Sequence, residues 1–129
     1  MPPISYDYAV IRVVPRVDRG EFVNAGVIVS CPSPGYLKAR VRLDTDRVRM
    51  LDPGADLDAI AEALDAIPRI CDGGEAAGPI GRLPLRKRFH WLVAPRSASI
   101  QCSPVHTGRC DDLDGALDRL IRTLVDRPA

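Results

Sequence analysis

Aromatic residues are scarce in this 129-residue chain, at 5% of the composition with a single tryptophan. A core of stacked rings is therefore excluded, and Val, Ile, Leu and Ala must fill it. An excess of charge of one sign is also missing: 18 Lys and Arg against 17 Asp and Glu leave a formal net charge of +1. That balance argues against a generally nucleic-acid-binding surface and still leaves room for a local basic patch. No run approaches the roughly 18 apolar residues of a membrane span, so no membrane contact is expected. The first residues, from Met1 to Tyr8, lack the basic and long apolar segments of a secretory signal. Paired C-x-x-C spacings are absent, because Cys31, Cys71, Cys102 and Cys110 are scattered. The expectation is a cytoplasmic protein with reduced thiols, its cysteines acting as small buried hydrophobes. The phosphate-cradling G-x-x-x-x-G-K-[ST], the dinucleotide G-x-G-x-x-G and the nucleophile elbow G-x-S-x-G are all missing. Their absence speaks against nucleotide-binding and serine-hydrolase folds.

What is present reads as one domain over residues 1–129, with 46% hydrophobic and 27% charged residues. Residues 8–14 are apolar and β-branched, and residues 22–31 form a second such run with Gly26 inside it. A glycine there suggests a bulge or a close backbone approach. Leu37, Ala39, Val41 and Leu43 alternate with Lys38, Arg40, Arg42 and Asp44, the pattern of a half-buried strand. Leu57, Ile60, Ala61, Leu64 and Ile67 recur at helical spacing, with Asp52 or Asp56 as start and Pro68 as an end or kink. Residues 71–84 read as a glycine-rich loop, with 75–84 either a mobile flap or a plain surface connection. Residues 89–93 and 98–102 read as two further strands, the first equally readable as a short helix. Leu113, Ala116, Leu117, Leu120, Ile121, Leu124 and Val125 make the C-terminal helix, capped by Asp111 or Asp112, with Asp118 and Arg122 able to pair. The order β-β-β-α-β-β-α predicts an α+β fold: a mainly antiparallel sheet with two helices packed on one face.

Chemistry concentrates in residues 88–108, which hold both histidines and the only tryptophan. Cys102, His106 and Cys110 are spaced by four, but Pro104 and Gly108 break the helix that would align them on a metal, so no metal site and no cofactor is expected. His106 and His90 are the candidate catalytic bases, with Ser97, Ser99, Ser103, Thr107 and the cysteines as conceivable nucleophiles. As binding residues the pattern offers Arg12, Glu21, Asn24, Arg88, Trp91, Arg96, Ser103, His106 and Thr107. Arg12 interrupts an apolar strand and needs a partner such as Glu21 or Asp7, and an Arg12–Glu21–Asn24 group could hold an anion or a peptide carboxylate. Lys38, Arg40 and Arg42, with Arg82, Arg86, Lys87 and Arg88 ahead of Trp91, could form a basic face for phosphate or single-stranded RNA. The plainer reading of each is a satisfied sheet residue or a solvated edge.

Several long runs carry a resemblance. They include Tyr6-Asp-Tyr-Ala-Val-Ile-Arg-Val-Val-Pro-Arg16, Gly20-Glu-Phe-Val-Asn-Ala-Gly-Val-Ile-Val29 and Arg88-Phe-His-Trp-Leu-Val-Ala-Pro-Arg96. Ile67-Pro-Arg-Ile-Cys71, Gly78-Pro-Ile-Gly-Arg-Leu83 and Ser103-Pro-Val-His-Thr-Gly108 belong with them. Together they resemble the bacterial family known as domain of unknown function 3037. That resemblance implies no activity and no catalytic residues. It implies an association with HipA-like kinases, whose genes often lie beside those of the family, as in toxin–antitoxin pairs. The leading expectation is thus a non-catalytic accessory protein that binds a HipA-like kinase through a sheet edge or through residues 89–108, with a homodimer left open. The alternative is a small enzyme or anion-binding domain for phosphate-bearing ligands, or an RNA-binding module, using His90, His106 and the arginines.

Overall fold

The computed structural model describes residues 3–96 and 98–128. The chain begins with three strands, β1 (Ile4–Val13), β2 (Val23–Cys31) and β3 (Tyr36–Val41). They pair in sequence as an antiparallel meander, as their short links demand. Four helical segments follow: α1 (Thr45–Leu51), α2 (Leu57–Asp72), α3 (Gly78–Gly81) and α4 (Leu85–Val93), with a single 3₁₀ turn, Glu75–Ala77, before α3. The chain then returns to the sheet as β4 (Ile100–Cys102) and β5 (His106–Cys110) and ends in α5 (Leu113–Leu124). Both late strands pair antiparallel with β1, β4 against its end and β5 against its start. β1 is therefore central, and β4 and β5 together make one interrupted edge.

The α+β expectation holds, but the helices are more numerous and line both faces of the sheet. Alternation along the strands shows this directly. Val27 and Val29 pack with Leu117 and Ile121 of α5, whereas Ile28 between them packs with Leu64 of α2 and Phe89 of α4. An all-apolar stretch such as Val27–Val29 is what a strand covered on both sides requires. A bulge in β2 adjusts the phase. Ile11 faces Gly26 and Arg12 faces Asn24, which leaves Ala25 as the extra residue. Val23, Ala25 and Ile28 can therefore all reach the α2 side.

Aspartates cap the starts of α1, α2 and α5. Asp44 accepts from the Arg47 amide at 3.3 Å, Asp56 from Ala59 at 3.1 Å and Asp112 from Gly115 at 3.1 Å. Pro68 lies inside α2, which runs on for another turn to Asp72. Asp118 pairs with Arg40 of β3 rather than with Arg122, tying α5 to the sheet.

In the chemistry-rich stretch the structure decides between the two readings of residues 89–93. Residues 89–93 belong to helix α4, because Leu85, Phe89 and Leu92 fall on one helical face and bury against the sheet. His106, Thr107 and Gly108 lie in strand β5, where pairing with β1 overrides their weak strand propensity. Residues 75–84 contain the 3₁₀ turn and α3.

Ser103 mends the break between β4 and β5. Its amide donates to the Val10 carbonyl at 2.8 Å, and its Oγ accepts from the Val10 amide at 2.8 Å. The hydroxyl itself donates to the Pro104 carbonyl at 2.9 Å. The side chain thus stands in for the missing ladder partner of a central strand. Ser103→Ala would leave that buried amide unpaired and is expected to cost about 1–3 kcal/mol. A urea midpoint equal to the wild type would remove this role.

Candidate functional site

A cleft of about 310 Å³ opens between α2, α4 and β4 on the face away from α5. Its existence follows from small residues. Ala63 and Ala66 stand where larger side chains on α2 would close the gap, and Ile67 and Ile70 continue the wall one turn on. The opposite side is built from Trp91 and Leu92 of α4 together with Ile100 and Cys102 of β4. The lining is almost wholly apolar, and its polar residues are Arg96, Ser99 and Gln101, the last on a strand position whose side chain alternates to the other face of the sheet.

The lip of the cleft is organised by one pair. The Arg96 guanidinium lies 4.6 Å above the indole of Trp91 and donates to the Trp91 carbonyl. Trp91 remains 39% exposed, so its ring is available to a ligand instead of serving as core. A cation held over an aromatic face is worth about 0.5–1 kcal/mol at such a site, and it also fixes the arginine beside the opening.

Cys102 faces into the cleft, and its thiol donates to the Leu92 carbonyl at 3.5 Å. Burial pushes this thiol up to about 11, against the opposing pull of Arg96 and Arg12, and burial pushes Cys71 up to about 12. Both stay protonated at neutral pH, where a thiol is a weak nucleophile.

The remaining candidates fall elsewhere. His106 lies opposite Tyr8 in the β1–β5 pairing, on the α5 side of the sheet, with ring centroids 5.4 Å apart. His90 is exposed on α4. Neither histidine lines the cleft. Arg88 turns inward and donates to the carbonyls of Leu83, Ile70 and Cys71, which ties α4 to the C-terminal end of α2. Glu21 pairs with Arg19 at 2.5 Å, so it does not join Arg12. Asn24 donates to the Leu124 carbonyl at 3.0 Å, and Thr107 donates to Asp7 at 3.3 Å. Ser97 lies outside the described residues. Among the described residues no group of three or more His, Cys, Asp or Glu could hold a metal ion.

A polar cluster that the sequence reading did not assemble sits under the start of α4. Arg86 donates to Asp7 at 2.6 Å and to the fully buried Ser30 at 3.1 Å. Asp7 and Ser30 face each other across β1 and β2, so the pair is set by register and not by any local motif. The alanine stripe Ala63–Ala66 was likewise outside the apolar face read for α2, although its three-residue spacing next to Ile67 and Ile70 was the available signal.

One family model, described as protein of unknown function (DUF3037), matches residues 8–125. No curated protein and no solved structure matches the chain. No described helix is long and apolar enough to cross a membrane.

Proposed function

Because the chain belongs to the DUF3037 family, whose description assigns no activity, we propose a function from the cleft: a non-catalytic recognition module that seats an apolar anchor of a protein partner beside Trp91. The observation that carries this reading is the apolar cleft with a half-exposed indole fixed at its lip. Buried aromatic and aliphatic anchors in such pockets supply most of the energy at protein interfaces. The wall formed by β4 adds a second attraction. β4 pairs only with β1 among the described residues, so its outer backbone groups can accept an extended segment. A strand added there places alternate side chains towards the cleft. The partner we propose is a HipA-like kinase, the association that the family resemblance implies. Arg96, at the rim, suits an acidic residue flanking the anchor.

Purified chain and a HipA-like kinase are the reagents for the test, with titration calorimetry as the readout. Binding at micromolar concentration or tighter is expected. Ala66→Arg, which fills the cleft from an α2 surface position, should weaken it by about 30-fold or more, the effect of losing one interface hot spot. Unchanged circular dichroism will show that the variant is folded. No complex with the wild type, or equal affinity in Ala66→Arg, overturns the reading.

A further inference from the structure

We propose that Arg12 anchors a carboxylate-binding site on the α5 face of the sheet, opposite the cleft and independent of the function assigned to it. Arg12 lies in the central strand, with Asn24 beside it on β2 and Gln101 beside it on β4. Its guanidinium rests on the ring of Phe22 at 4.1 Å, and that ring is 46% exposed. Nε of Arg12 is buried with no hydrogen-bond partner. No carboxylate among the described residues lies within ion-pair distance of it. Nε is the only nitrogen of the head that is buried and unpartnered, so the outer edge with its two amino groups is the part left to a ligand.

Two other half-buried arginines show how this fold treats a structural guanidinium. Arg86 has the Asp7 carboxylate and the Ser30 hydroxyl, and Arg88 has three backbone carbonyls. Arg12 has neither arrangement. The neighbouring position that could have supplied a carboxylate carries Asn24 instead. The Asn24 amide orientation is fixed, because only its Nδ2 can donate to the Leu124 carbonyl; Oδ1 is left buried and unpartnered. The outer edge of the head stays open while no protein carboxylate offsets its charge, so an anion that reaches that edge meets an unneutralised, partly desolvated guanidinium.

The chemistry of the surroundings selects the anion. One guanidinium whose strand neighbours Asn24 and Gln101 are both neutral balances one negative charge. A planar carboxylate accepts two parallel bonds from the outer edge of the head, whereas phosphate dianions are met by clusters of cations. The exposed Phe22 ring adds a stacking surface, which favours a carboxylate carried on an aromatic or apolar body.

The test follows the Arg12 Nε–H resonance by NMR during titration with benzoate, with a short peptide ending in a free phenylalanine carboxylate, and with inorganic phosphate. A saturable shift with benzoate or with the peptide acid is expected, and the stronger of the two tells whether a free acid or a chain terminus is the source. Arg12→Met should abolish saturation of the neighbouring Asn24 signals and should unfold at the same temperature as the wild type or higher, since it removes an unpaired, half-buried charge. Arg12→Lys keeps the charge without the planar fork and should bind at least about tenfold more weakly. No saturation by either carboxylate, an equal response to phosphate, or a lower unfolding temperature for Arg12→Met with ligand shifts unchanged overturns the site.

Discussion

Gly26→Ala is expected to cost about 3 kcal/mol or more of unfolding free energy, the upper part of the range for overpacking a core. A Cβ at this position would stand 2.6 Å from the Arg40 carbonyl oxygen, 2.9 Å from Cδ1 of Ile11 and 3.1 Å from Cγ1 of Val41. The nearest of these is backbone of the adjoining strand β3, which cannot rotate aside. Moving it would stretch the β2–β3 ladder beside the bulge, where the register has already shifted. Small domains have only about 5–15 kcal/mol in total, so the loss takes a large share of the stability. Urea unfolding should show a lower midpoint with an unchanged slope. A midpoint within error of the wild type would mean that β3 lies farther from β2 than described.

Phe89→Ala is expected to cost about 3–5 kcal/mol, the usual range for emptying a fully buried aromatic site. Phe89 is 0% exposed and sits among Ile11, Ile28 and Leu64 with Leu92. It also carries the Arg86 guanidinium 5.2 Å above its ring, so its loss loosens the Asp7–Arg86–Ser30 cluster as well. Trp91, two residues on, is the counter-example on the same helix. Its truncation removes a half-exposed ring and should change stability by under about 1 kcal/mol. Paired urea curves of the two variants therefore separate the core face of α4 from its recognition face. Equal losses would contradict the division.

Where periodicity was strong, the sequence was readable. The alternation of β3 and the apolar stripe of α5 lead directly to their elements, and the glycine in β2 marks the bulge. The stretch after Pro84 was not, because Leu85, Phe89 and Leu92 span too few turns to separate a short helix from a buried strand. β5 was hidden for a different reason. His106, Thr107 and Gly108 have little strand preference of their own, and only the backbone of β1 a hundred residues earlier makes them a strand. Gly108 suits that place because a side chain there would meet the Tyr6 ring at 2.5 Å.

The candidate site was half legible. Trp91 and Arg96 stood out by residue type and are found together. Their partners on α2 are alanines, which announce nothing by chemistry and matter through the space they leave. The histidines have the chemistry of imidazole, yet their positions on β5 and on the outside of α4 are set by pairing and by helix phase. Distance in sequence also hid the Asp7–Arg86 pair, as it hides most cross-sheet contacts.

The break between β4 and β5 has a bearing on solubility. An uninterrupted strand from Ile100 to Cys110 would present a long row of free amides and carbonyls to any other extended chain, including unfolded copies of the protein itself. The interruption at Ser103 and Pro104 divides that row into segments of three and five residues. Without a side chain seated in the cleft to hold the added segment, each is too short to template a growing stack, and the proline contributes no donor. Ser103 thus lets the sheet keep a broken border, unattractive to stray extended chains, while the Val10 backbone of its central strand stays paired.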